Sequence, residues 1–229
     1  MDFESLICIT IAVILFPILL AILRLMWILP ALRLPQTATK GHKLADLPHE
    51  TEGSNMMILL GSGGHTGEMM RIVSKMDLTK LSRTWVYSSG DSTSIVKAKN
   101  YEENNNNQFP AKYLCIPRAR KVGEPLISSV FNTLFSFLVS ALSLLILKQK
   151  PSVLLLNGPG TSVPIAYILF ALKYLGLCNT KIIYIESLAR VNKLSLSGSL
   201  LLPICDRFIV QWEPLYLKYK RVEYYGILI

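Results

Sequence analysis

Short apolar runs recur along the chain at residues 56–60, 85–88, 113–116, 153–156, 182–185 and 208–210, each followed by a turn or a stretch with helical spacing. Helix candidates fall between or after them, near 66–76, 92–100, 126–148, 162–175 and 194–202. Strand then helix, repeated, implies a parallel sheet with helices on both faces, because a parallel pair needs a long crossover that a helix fills. The "VLLL" of 153–156 shows no polar alternation, as expected of a strand covered on both sides. The expected fold is therefore α/β, with one Rossmann-like parallel-sheet domain over 56–229. "NNNNQ" at 104–108 reads as a polar loop.

The residues ahead of this domain obey a different rule. Residues 6–23 ("LICITIAVILFPILLAIL") carry no charge, and "RLMWIL" extends them toward the ~20 apolar residues that cross a bilayer. Asp2 and Glu4 stand where a signal peptide carries Lys or Arg, and no clear A-x-A site follows. Pro17 is tolerable in a membrane helix, and Trp27 sits where an interfacial aromatic would. Arg24, Arg33, Lys40 and Lys43 lie on the C-terminal flank. The positive-inside rule then places the main domain in the cytoplasm and the N-terminus outside or in a lumen. Residues 5–29 are read as a transmembrane anchor and 30–55 as a polar tether. An anchor accounts for a composition that is 51% hydrophobic and a mean hydropathy of +0.40. The net charge of +9 favours phosphates, anionic headgroups or nucleic acid without choosing among them. Cys8, Cys115, Cys178 and Cys205 are scattered with no C-x-x-C pair, which argues against a zinc site or a redox dithiol; no metal is expected.

Residues 126–147 are also uncharged. A second crossing is disfavoured, because the strands on either side must share a compartment and both flanks are basic: Arg118, Arg120 and Lys121 before, Lys148 and Lys150 after. Ser128, Asn132, Ser136, Ser140 and Ser143 recur at helical spacing as a polar stripe. Two readings stay open: plain burial against the sheet, or packing with one side on the lipid surface. Arg118, Arg120 and Lys121 suit anionic headgroups or a lipid-linked phosphate.

Ligands of open α/β sheets sit at the carboxyl ends of strands. There the chain places Gly61-Ser62-Gly63-Gly64-His65-Thr66-Gly67 after the first strand, Asn157-Gly158-Pro159-Gly160-Thr161-Ser162 after the fourth, and Glu186-Ser187 after the fifth. Two glycine-rich turns that open helices offer backbone N–H groups and helix dipoles to one anion, and a diphosphate is the natural guest. The expected diphosphate-binding residues are Ser62, Gly63, Gly64, Thr66, Gly67, Gly158, Gly160, Thr161 and Ser162. No G-K-[ST] ends the first loop, and counting from Gly61 the fingerprint position for a third glycine falls on Thr66. Neither a nucleoside triphosphate nor a dinucleotide cofactor is supported. His65 reads as a catalytic base or a hydrogen-bond donor to sugar or phosphate, against the alternative of a histidine that pins the turn. Glu186 reads as a second catalytic candidate that binds a sugar hydroxyl or acts as base, against a helix cap. Arg190 is a weaker phosphate contact.

"LLGSGGHTGEMMRI", "LLLNGPGTSVPI" and "YIESLARVNKLSLSGSLLLPICDRFIVQW" together resemble the membrane-anchored subunit of the N-acetylglucosaminyltransferase of asparagine-linked glycosylation. The resemblance runs from Met56 to the end of the chain. It implies addition of the second N-acetylglucosamine to a dolichol-diphosphate acceptor on the cytosolic face of the endoplasmic reticulum. That family is in turn similar to the N-terminal, acceptor-binding half of the bacterial transferase that makes the lipid-linked peptidoglycan precursor, an enzyme of the GT-B arrangement. The resemblance implies that the two glycine turns hold the acceptor diphosphate, with no cofactor. It implies that UDP-N-acetylglucosamine is held by a separate soluble catalytic subunit, with this chain inactive alone.

The globular part is one Rossmann-sized unit, while GT-B catalysis takes place between two. The apolar "EYYGILI" asks to be covered by its own core or by a partner. Tyr224, Tyr225, Gly226, Ile227, Leu228 and Ile229 are read as partner interface, with completion of the internal sheet as the alternative. Competing functions are a pure membrane recruiter with vestigial loops and a stand-alone, membrane-tethered nucleotide-dependent enzyme. Nucleic-acid binding is the weakest reading of the charge.

Overall fold

The computed structural model describes residues 2–33, 54–117 and 137–229. Seven strands, β1 (Asn55–Leu59), β2 (Ser82–Ser88), β3 (Lys112–Ile116), β4 (Val153–Asn157), β5 (Lys181–Ile185), β6 (Arg207–Val210) and β7 (Glu223–Tyr224), form one sheet in the order 3-2-1-4-5-6-7. Every neighbouring pair is parallel. The Rossmann-like fold expected from the alternation is thus what the chain adopts, with the strand order reversing between β1 and β4.

Each central strand feeds two cores. Met57 and Leu59 of β1, with Leu154 and Leu156 of β4, point into a core closed by α5 (Ser162–Tyr174) and α6 (Leu196–Leu201). Met56 and Ile58, with Val153 and Leu155, point the other way, against α2 (Gly64–Val73) and α3 (Ser92–Asn104). This double burial explains the continuous apolar runs. β2 starts earlier than hydropathy suggests, because polar Arg83 is fully buried there. Its guanidinium is held by both oxygens of Glu102 at 2.9 and 3.2 Å, which satisfies the buried charge.

Helix α1 (Phe3–Ile28) is long and apolar enough to cross a membrane, and its apolar window is not buried by the rest of the chain. Its C-terminal end is docked: Ile28 joins the first core, and Tyr174 donates its hydroxyl proton to Ala21 O at 3.1 Å. The residues expected to open the tether also pack. Pro30–Leu32 forms a 3-10 turn with Pro30 buried, and Ala31 N–H bonds Pro203 O at 3.1 Å. Residues 34–53 of the expected tether lie outside the described residues, as do Arg118, Arg120 and Lys121, while Asn55 at its end already belongs to β1.

Of the expected helix 126–148, Phe137–Ile146 is described as helix α4, and Ser128, Asn132 and Ser136 of its polar stripe lie outside the described residues. Ser140 and Leu144 are buried, while Phe137, Leu138, Leu142, Leu145 and Ile146 are exposed. Small Ser140 and Ala141 permit close approach to the core, and the bulky apolar residues are left outside. Beyond β6, the short helix α7 (Glu213–Lys218) leads to β7, which completes one sheet edge. Tyr225, Leu228 and Ile229 then fold onto the core that also receives α2.

Candidate functional site

In a parallel sheet all carboxyl ends share one edge. α2 follows β1, α3 follows β2 and α5 follows β4, so three helix N-termini stand side by side above adjacent strands 2-1-4. They are not equivalent. Asp91 caps α3, accepting from Ser94 N–H at 3.1 Å. Neither α2 nor α5 has a side-chain cap. The two uncapped helices flank the point where strand order reverses, where ligands of this architecture bind. On α2 the first helical bond runs from Gly67 N–H to Gly63 O at 3.5 Å. The N–H groups of Gly64, His65 and Thr66 therefore have no partner within the helix. On α5 part of this capacity is used within the turn, Ser162 N–H bonding Pro159 O at 2.9 Å and Val163 N–H bonding Gly160 O at 3.3 Å.

The glycines divide into two kinds. A Cβ on Gly61 would lie 2.7 Å from Pro159 Cγ and 2.8 Å from His65 Cβ. A Cβ on Gly158 would lie 2.5 Å from His65 Nδ1 and also overlap Cε1, and its φ of +52° disfavours any side chain. These two glycines let the turns interlock. At Gly63, Gly64, Gly67 and Gly160 an added Cβ would meet nothing within 4 Å. That open side is where a ligand can approach backbone amides.

His65 is half-buried and joins the turns: its Nδ1 is 3.2 Å from Asn157 Oδ1 and 4.0 Å from Glu68 Oε2. Thr66 turns inward, its hydroxyl bonded to Gly61 O and to Ser94 Oγ at 2.5 Å. Thr66 is 1% exposed, so its side chain supports the loop and does not reach the open side of the turn. Ser162 is fully buried and donates to Pro159 O at 2.5 Å, which likewise makes its side chain part of the turn. Ser62 is exposed beside Gly63. Thr161 Oγ1 and Asn157 Nδ2 are buried without a hydrogen-bond partner.

Glu186 is 0% exposed. Its Oε1 accepts Ser187 N–H at 3.0 Å and the Tyr184 hydroxyl at 3.4 Å; its Oε2 accepts Ser195 N–H at 2.9 Å and Ser195 Oγ–H at 3.1 Å. A carboxylate so enclosed has no free lone pair for a substrate proton. The expectation of a catalytic base here is therefore replaced by a loop-shaping role, ahead of a helix that Ser195 itself caps through Gly198 N–H at 2.9 Å. Arg190 is exposed on the same loop.

Three residues that sequence reading left unassigned organise the site. Glu68, three positions after His65 on the same helix face, accepts Leu188 N–H at 2.6 Å, Ser187 Oγ–H at 3.1 Å and Gln211 Nε2–H at 2.7 Å. Gln211, at the end of β6, also donates to Glu186 O at 3.1 Å and accepts Leu228 N–H at 3.2 Å. Asn157 touches His65. The signal for each was a polar residue bounding an apolar run, which does not separate a buried network from a solvated turn.

The carboxyl-terminal segment is only partly covered. Arg207 donates to Glu223 at 2.6 Å and to the Tyr225 hydroxyl at 2.7 Å. Tyr224, Tyr225, Gly226, Leu228 and Ile229 are half-buried, and Ile227 is 54% exposed.

Residues 56–228 match the family described as "Oligosaccharide biosynthesis protein Alg14 like". A protein of Candida albicans named UDP-N-acetylglucosamine transferase subunit ALG14 is 61% identical over 229 residues, which is 100% of both chains. The Mus musculus protein of the same name is 38% identical over 192 residues, 80% of this chain and 88% of that one. Among solved structures, Acinetobacter baumannii MurG aligns with a TM-score of 0.49 at 13% identity, over 74% of this chain and 44% of that chain. A family match over nearly the whole α/β domain, with full-length relatives at these identities, means that the chain belongs to the Alg14 family.

Proposed function

We propose that this chain is the membrane-anchored, acceptor-binding subunit of a two-subunit UDP-N-acetylglucosamine transferase. It adds the second N-acetylglucosamine to N-acetylglucosaminyl-diphosphate-dolichol on the cytosolic face of the endoplasmic reticulum, for protein N-glycosylation. One observation carries the reading: two interlocked glycine turns, each opening an uncapped helix, stand on either side of the strand-order reversal. The names of the family's curated members support the reaction class.

In this reading α1 crosses the membrane once, with a short lumenal N-terminus, and holds the domain against the cytosolic leaflet. The exposed apolar side of α4 rests on lipid, and Arg118, Arg120, Lys121 and, more weakly, Arg190 are assigned to the anionic headgroup of the acceptor. The amides of Gly63 and Gly64 on one turn, beside the open face of Gly67, and of Gly160 and Thr161 on the other, receive the acceptor diphosphate with the helix dipoles behind them. A soluble catalytic subunit carrying UDP-N-acetylglucosamine docks over 224–229 and supplies the second half of a GT-B cleft. The acceptor 4-hydroxyl attacks the donor anomeric carbon with inversion. The new C–O bond forms as the bond to UDP breaks, and the hydroxyl proton passes to a base lining the cleft, with His65 the candidate from this side.

The test replaces Gly64, whose Cβ position is open, with Leu in the full chain co-purified with its donor-binding subunit. The expected result is an intact complex with a strongly raised KM for the diphosphate-lipid acceptor and little change for UDP-N-acetylglucosamine. An unchanged acceptor KM would move the acceptor site elsewhere, and leave the chain as a recruiter.

A further inference from the structure

One question stands at the centre of this site: which nitrogen of His65 carries the proton. A neutral imidazole has one donor and one acceptor nitrogen, and its partners decide which is which. Nδ1 faces Asn157 Oδ1 at 3.2 Å, from the β4–α5 turn, and Glu68 Oε2 at 4.0 Å, from its own helix. Both are acceptors. The ring packs directly on Gly158, in the space that a side chain there would need. Asn157 is 1% exposed, so no bulk water competes for its oxygen.

Reversing the Asn157 amide would let Nδ2 donate to Nδ1. It would also aim the Nδ1 lone pair at the Glu68 carboxylate, 4.0 Å away. In the orientation found, the buried group left without a partner is the donor Nδ2, on the same turn as the unpartnered Thr161 Oγ1. A threonine hydroxyl can donate or accept, so Thr161 is compatible with either orientation, and the Glu68 carboxylate beside Nδ1 is what favours a proton there.

We propose that Asn157 is a positioning residue: through its side-chain oxygen it holds the His65 proton on Nδ1 and presents Nε2 as a hydrogen-bond acceptor to the bound ligand. This rests on the acceptor-site reading above and sharpens it. An unprotonated Nε2 repels an ionised phosphate oxygen, which is also an acceptor, and attracts a hydroxyl. The site then divides by chemistry: backbone amides take the diphosphate, and His65 takes a sugar hydroxyl, as a proton acceptor and not a phosphate donor. Asn157 Nδ2 is buried, and its natural partner is an ordered water.

The experiment uses the full chain in detergent micelles, labelled with 15N-histidine, at ~pH 8, above the usual histidine pKa of about 6.5. A His65→Gln sample identifies the His65 signals. The expected spectrum shows Nδ1 protonated and Nε2 bare. In Asn157→Leu this preference shifts toward Nε2–H, while Asn157→Asp, which keeps an acceptor, retains Nδ1–H. A wild-type ring protonated on Nε2, or an Asn157→Leu ring unchanged from wild type, overturns the proposal. Should Asn157→Leu fail to fold, the wild-type and Asn157→Asp spectra carry the same test. With the donor-binding subunit and a lipid-diphosphate-N-acetylglucosamine acceptor, Asn157→Leu lowers kcat about 10- to 100-fold with acceptor KM little changed, and Asn157→Asp recovers most of the loss. Full activity in His65→Ala would instead overturn the reading of the site, while the spectra still decide the tautomer.

Discussion

Gly158 and Gly160 stand two positions apart in one turn and answer to different forces. Gly158 has a positive φ and a neighbouring imidazole where its Cβ would be, whereas Gly160 faces open space. Gly158→Ala should therefore destabilise the domain by about 1–3 kcal/mol, the usual range for forced overpacking. Gly160→Ala should stay within about 0.5 kcal/mol, as for surface changes. Urea unfolding of the detergent-solubilised chain reads both. A His65→Ala change in the Gly158→Ala background should recover part of the loss, because it removes the overlapping ring; equal and additive losses would show that no overlap exists. Glu186 makes the matching case for a carboxylate. Glu186→Gln puts an amide NH2 where two donors now converge on one oxygen, or on the other side where two more do. The expected cost is about 1–3 kcal/mol of stability, the price of stranding a buried donor. Activity per folded molecule should hold, and a kcat loss without a stability loss would return Glu186 to the chemistry.

At the scale of elements, the central strands were legible because burial on both faces leaves no room for polar residues, and the glycine turns because a reversal followed by a helix start needs them. Three things were not. β2 begins in "SRT", where a buried ion pair replaces hydrophobicity. β7 is two residues long and carries Glu223, paired to Arg207, so it gives no apolar run. On α4 a serine stripe has the same periodicity whether it faces water or a tight core contact, and spacing alone cannot give the sense. Ser140 shows the second case, buried and with its hydroxyl unpartnered among the described residues. Ser140→Ala should be neutral or stabilising by up to about 1 kcal/mol, since it removes a desolvated hydroxyl that gains nothing in return; a clear loss of stability in thermal melts would mean that the hydroxyl is bonded. Burial also leaves a mark on pH dependence. It pushes up the Tyr184 hydroxyl, with the Glu186 carboxylate adding to the effect, and it pushes up the Cys205 thiol, with Asp206 adding. The unfolded chain releases these protons near the ordinary values of about 8.5 for Cys and 10 for Tyr, while the folded chain keeps them. The folded state then binds more protons, so stability present at neutral pH falls as pH rises through that range. Melting temperatures at neutral and alkaline pH should show the drop. Cys205→Ala should reduce its lower-pH portion.

Across the whole molecule, the glycine turn and the carboxyl-terminal segment lie on the same side of the sheet and share one hydrogen-bond network. Gln211 ties them: its Nε2 reaches Glu68 on the helix that carries His65, and its Oε1 receives the amide of Leu228. Glu68 also gathers Leu188 and Ser187 from the β5–α6 loop. Cutting this node should loosen distant segments together. Gln211→Leu fills a similar volume while stranding the Leu228 amide and removing a donor from Glu68, at an expected cost of about 1–3 kcal/mol. Hydrogen exchange of the full chain is the sensitive readout, because local opening appears there before global unfolding does. Exchange should quicken at Leu228, across 186–190 and across the first turn of α2, and stay slow in β1 and β4, whose partners Gln211 does not touch. Gln211→Glu should act in the same direction and further at ordinary pH, since it sets a second carboxylate against Glu68. If binding of the donor subunit over 224–229 is felt at the glycine turn, its addition should slow exchange across 61–67 in the wild type, and do so less in Gln211→Leu. Protection gained equally in both proteins would mean that the two surfaces act independently and that the network serves the fold alone.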